Sequence, residues 1–137
     1  MIEVSKLMLC EHERIEKLLE ELEKAVLGKK NIEESFSKFK WTLEKHMFLE
    51  EKAIFSAFVK ESEVDDIFRL MNEHGDIMRL VSKIEKEIPN TDIDELKVAM
   101  IDHVDFENTH FYPKLDELLS ESQKKEISEK CREIIRG

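Results

Sequence analysis

Apolar residues recur along the chain at three- and four-residue intervals, the spacing of one face of an α-helix. A few breakers divide the pattern into four long segments and a tail. The first predicts a helix from about Ile2 to Leu27, ended by Gly28-Lys29-Lys30. Asn31, with Glu34 three residues on, reads as a capping box for a second helix reaching about Lys60. Ser62 with Asp65 opens a third helix. It stops before Pro89, because the residue preceding proline avoids helical angles. Thr91 opens a fourth, with Asp92 and Asp94 near the positive end of its dipole, and Pro113 kinks or ends it. Ser120 and Gln123 read as a cap for a short helix over residues 121–136, striped by Ile127, Cys131, Ile134 and Ile135. Short connections make consecutive helices antiparallel neighbours. The expected fold is therefore all-α: an up-down-up-down antiparallel four-helix bundle with a short C-terminal fifth helix. One domain is expected over residues 1–137, with its core in 5–118.

The buried seams carry the chemistry. Helix one gives Met8, His12, Ile15, Leu19, Leu22 and Val26; helix two gives Phe36, Phe39, Leu43, His46, Glu50, Ala53 and Ala57. Helix three gives Ile67, Leu70, His74, Ile77, Val81, Ile84 and Ile88; helix four gives Ile93, Leu96, Met100, His103, Glu107 and His110. Each seam is apolar except near its middle, and all five histidines lie on one. At about 1.5 Å of rise per residue, counting from each turn brings the polar positions to one level. His12 lies 15 residues before Leu27 and His46 lies 14 after Ile32; His74 lies 14 before Ile88 and Glu107 lies 15 after Asp92.

Composition narrows the function. Only 3 glycines and 2 prolines disfavour sandwiches, barrels and Rossmann folds. A net charge of −10 disfavours nucleic acid and anionic membrane surfaces as partners. No run approaches the roughly 18 apolar residues of a membrane span. Cys10 and Cys131 make no disulfide framework, and no secretory leader is visible, so the expected location is the cytoplasm.

Burying ionised carboxylates costs several kcal/mol each unless they are paired or bind a metal. No Lys or Arg lies on the seams to pair with Glu50 and Glu107. Four imidazoles and two carboxylates suit a dinuclear site for a borderline transition metal, each ion taking two His and both Glu bridging. Iron is the expected metal; zinc and manganese are compatible by residue type.

The residues resemble the hemerythrin family, specifically the hemerythrin-like (HHE) cation-binding domains. The pattern is a lone His, then HxxxE, repeated: His12, His46-Met-Phe-Leu-Glu50, His74, His103-Val-Asp-Phe-Glu107. An internal repeat accompanies it, Glu11 to Lys24 matching Glu73 to Lys86 at six of 14 positions. The resemblance implies two iron ions with a bridging oxo or hydroxo group, held by His and bridging carboxylates. It implies O2 or a related diatomic such as NO as the small ligand, in oxygen binding or sensing. The alternative it implies is an iron-handling or peroxide- or NO-reactive oxidoreductase using the same site. Any signalling output would require a separate protein partner. Two departures stand out: Met78 occupies the second His position of the oxygen carriers' third helix, and Glu107 comes one residue before their Asp. His110, three residues after Glu107, is the candidate replacement for that third-helix ligand. Glu51 and Tyr112 read as a solvated charge and a core or rim aromatic.

Overall fold

The computed structural model describes residues 4–55, 61–88 and 92–136, with backbone alone at 61–64 and 134–136. Helix α1 is Val4–Gly28 and α2 is Ile32–Leu49, which runs on through a π turn at Glu50–Ile54. Helix α3 is Glu61–Glu87, and α4 is Asp94–Phe106, followed by a second π turn at Glu107–Phe111. Helix α5 is Tyr112–Leu118 and α6 is Glu121–Arg136. Among the described residues there is no strand.

The expected elements form, with local differences. Asn31 does not cap α2 through its side chain. Its φ is 58°, like the 50° of Lys29, and the two left-handed residues make the tight turn out of α1. Helix α4 begins at Asp94 and not at residue 91. Asp92 Oδ1 accepts the Asp94 N–H at 2.9 Å, an Asx turn that supplies a first-turn donor with its partner. Thr91 itself, Ala57 and the Ser62 side chain lie outside the described residues. The capping box at α6 is present: Gln123 Oε1 accepts from Ser120 N at 2.9 Å, and Ser120 Oγ from Gln123 N at 3.1 Å.

Pro113 does not stop the fourth helix. The backbone changes pitch earlier, at the π turn, and Tyr112 N–H donates to Glu107 O, five residues back. Pro113 then falls in the first turn of α5, where its missing N–H costs nothing. The chain leaves α5 at Leu119, which is extended.

Helix α1 packs on α2, and α3 on α4; α5 and α6 lie against α1, and α6 also against α2. The seams are buried as two apolar clusters. One contains Ile15, Leu43, Ile77 and Met100; the other contains Met8, Leu49, Leu70 and Phe111. On each of the four seams the polar residues fall between members of the two clusters: His12 between Met8 and Ile15, His74 between Leu70 and Ile77. The two HxxxE motifs therefore meet two lone histidines at one level, with apolar packing on either side. That packing excludes water and sets the dielectric of what lies between.

Candidate metal centre

Helical periodicity places His46 and Glu50 one turn apart on the same face of α2, and His103 and Glu107 likewise on α4. His12 and His74 enter from α1 and α3. All six side chains are buried: the imidazoles are 2–3% exposed and both carboxylates 0%. The imidazoles form two pairs, His12 with His46 at 4.9 Å between ring centroids and His74 with His103 at 5.0 Å. Each carboxylate spans the pairs. Glu50 Oε1 lies 3.1 Å from His46 Nε2 and 3.2 Å from His74 Nε2. Glu107 Oε1 lies 3.1 Å from His12 Nε2 and 3.2 Å from His103 Nε2. The six side chains close a ring in which every imidazole presents Nε2 inward and each Glu joins one imidazole from each pair.

Inside this ring several contacts are near without being directional. His46 Nε2, His103 Nε2 and both Glu107 oxygens make no hydrogen bond despite complete burial. Buried polar atoms left without partners cost about 1–3 kcal/mol each, and more when charged. Donor atoms aimed at a common centre fit a cation between them. Two overlapping groups could each hold a metal ion: Glu50, His74, His103 and Glu107, and His12, His46 and Glu107. Neutral imidazole nitrogen and carboxylate oxygen together make a donor set for borderline divalent metals. The residues present thus fit a bound metal cation.

Electrostatics in the protein alone follow from the same enclosure. Burial by itself would lower the His103 pKa. Contact with Glu107, aided by Glu50 and Glu73, outweighs burial and lifts it from 6.5 to about 9. His12 is also raised, burial again being overcome by Glu107, Glu50 and Asn108. Burial pushes Glu50 up, but His46, Glu107 and His74 hold it well below the ordinary carboxylate value. Metal-free, the cluster holds its carboxylate charge by keeping protons on imidazoles, and a metal ion would displace those protons.

The sequence matches the family described as the hemerythrin HHE cation-binding domain over residues 4–115. The chain belongs to that family. The match spans all six ring residues and both π turns of this hemerythrin-type domain. No curated protein and no solved structure matches the chain.

His110 departs from expectation. Its side chain is 52% exposed, stacks on Phe106 and faces Asp66 Oδ2 at 3.3 Å, away from the ring. The cause is the π turn. One extra residue in that turn rotates the helix, so that Phe111 and Tyr112 take the inward positions that straight α-helical counting gives to His110. His110 is not in either group that could hold a metal.

Tyr112 is the main residue that pattern reading undervalued. It is fully buried, and its hydroxyl donates to Glu50 Oε2 at 2.8 Å and lies 3.4 Å from His12 Nε2. Burial, then Glu107 and Glu50, raise its pKa well above 10, so the phenol stays neutral and remains a donor. Two of the outer nitrogens have partners that no seam could signal. Asn108 Oδ1 lies 2.8 Å from His12 Nδ1 and Glu73 Oε1 lies 2.8 Å from His103 Nδ1. Glu51 Oε1 is 3.5 Å from His74 Nδ1, so it is less free than a solvated charge. A carbonyl or carboxylate on Nδ1 fixes the tautomer that leaves Nε2 free to coordinate. A sequence signal existed for Glu73: it directly precedes His74 within the internal repeat, where Glu11 precedes His12.

Proposed function

We propose that this domain is a non-haem di-iron protein that binds O2 or a related diatomic ligand. The observation that carries the reading is the ring itself. Glu50 and Glu107 each lie within 3.2 Å of one imidazole from each pair, with no buried Lys or Arg among the described residues to neutralise them. His12 and His46 would hold one ion, His74 and His103 the other, and both carboxylates would bridge. Iron supplies redox activity and open coordination positions when bound. The chain supplies the rest. Nδ1 partners orient His12 and His103, Tyr112 steers Glu50, and the two apolar clusters keep water from the inner nitrogens.

The surrounding architecture in this reading is a single up-down-up-down antiparallel bundle. It draws on the packing of α1 on α2 and α3 on α4, and on the internal repeat. No described helix is long and apolar enough to cross a membrane, and we place the protein in the cytoplasm. The test is spectroscopic. Iron-loaded protein, deoxygenated and then exposed to O2, should gain charge-transfer absorption and lose it when the gas is removed. Irreversible change with consumption of peroxide or NO would instead assign turnover to the same residues.

A further inference from the structure

Between α2 and α3 lies a pocket of about 420 Å³ whose walls include Met47, Phe48, Met71 and Met78, and His74 forms part of its lining. A second groove, about 310 Å³ between α1 and α4, is lined by Leu19, Met100 and Val104 among others and by none of the six ring residues. On the His12 side, the buried Tyr112 phenol stands against His12 and Glu50. The two halves of the ring therefore differ: a packed phenol lies beside one and a thioether-walled pocket meets the other.

We infer that the α2–α3 pocket is a binding and entry site for a small neutral molecule of the dioxygen class, delivered to the His74/His103 half of the ring. The inference deepens the proposed function and rests on it. Three methionines and a phenylalanine make an apolar, polarisable wall, which suits a weakly hydrated diatomic and not a hydrated cation. Two carboxylates also line the pocket: Glu51, 3.5 Å from His74 Nδ1, and Glu44, 4.0 Å from Lys40. Gly75 adds a structural detail. It also lines the pocket, and a Cβ there would meet only the end of the Arg79 side chain at 3.7 Å, an ordinary contact. Alanine would fit this position and favour the helix, so the fold does not need glycine at 75.

The pocket can be tested without any metal. In chelator-treated protein carrying 13C-methyl methionine, dissolved O2 speeds the relaxation of methyl protons where it dwells. Met47 and Met100 are equally buried, at 5% and 4% exposed, and line different cavities. Enhancement at Met47 and Met78 should exceed that at Met100 and at the buried Met8. Equal or greater enhancement at Met100 overturns the inference. In iron-loaded protein, Gly75→Phe should keep the wild-type metal content and slow azide binding about tenfold or more, the barrier of displacing one packed side chain. Ile101→Trp, at the other groove, should bind at the wild-type rate. Wild-type azide kinetics in a folded, iron-loaded Gly75→Phe protein would also overturn it. If O2 concentrates at Met47 and Met78 while the iron-loaded protein shows no ligand-dependent absorption, the proposed function fails and the pocket assignment stands.

Discussion

Tyr112 donates its phenolic proton to Glu50 Oε2 across 2.8 Å, from a position with no solvent exposure. The bond occupies the outer oxygen of Glu50 and leaves Oε1 facing His46 and His74. In Tyr112→Phe the carboxylate keeps its burial and loses that donor. A hydrogen bond to a charged group contributes about 1.5–3 kcal/mol. Metal affinity should fall about 10- to 100-fold, as measured by competition with a chromophoric chelator. An unchanged dissociation constant would show that the bond does not position Glu50.

The level at which the six ring residues meet was legible from rise per residue, because α1 to α4 are regular helices over nearly all of the stretch being counted. The positions of His12, His46, Glu50, His74, His103 and Glu107 needed only the 3-4 spacing of the seams. What the sequence hid was the change of helical pitch at Glu107. A π turn has no composition signal strong enough to announce it, and it exchanges His110 for Tyr112 on the inner face. Asn31 misled for a similar reason. A residue type that caps helices also tolerates left-handed angles, and the tight turn after Gly28 uses the second property.

His110→Ala should leave metal stoichiometry unaltered. The side chain is exposed and its partner Asp66 is also served by Lys114 at 3.4 Å. Exposed ion pairs contribute about 0–1 kcal/mol, so the melting temperature should move little. Loss of one metal equivalent on this substitution would return His110 to the ring.

Glu73→Gln should weaken the His74/His103 ion more than its neighbour. Its carboxylate meets His103 Nδ1 at 2.8 Å while its own side chain remains 25% exposed, so the variant should fold. Outer partners of this kind are worth about 10- to 100-fold in affinity. A two-step metal titration should show one step weakened. Asn108→Ala, acting on His12 Nδ1, should weaken the other. Identical effects on both steps in both variants would contradict the pairing of the imidazoles.

The pH dependence of stability should differ in sign between the two forms. In chelated protein, His103 is raised from 6.5 to about 9, so its contribution is complete below 6.5 and is lost as pH climbs towards 9. Glu50 is held below 4.5, so its contribution is present above that value and is lost as acid overcomes it. His103 therefore makes the metal-free domain progressively less stable as pH rises from about 6.5 to 9, while Glu50 leaves stability unchanged across that window. Metal binding displaces imidazole protons, so apparent affinity should rise across the same window. At a free metal concentration about 100 times the dissociation constant, loading adds about 2.7 kcal/mol. Thermal melts of both forms across this range should diverge; parallel curves would count against proton–metal exchange at the ring.

Metal content bears most directly on whether the four imidazoles and two carboxylates form one dinuclear centre. Protein produced with ample iron, freed of loosely bound ions and assayed by elemental analysis, should carry two metal ions per chain. The Glu50→Ala/Glu107→Ala double variant, folded by circular dichroism, should carry almost none. A wild-type chain with no bound metal, or one whose content matches that of the double variant, would contradict the account.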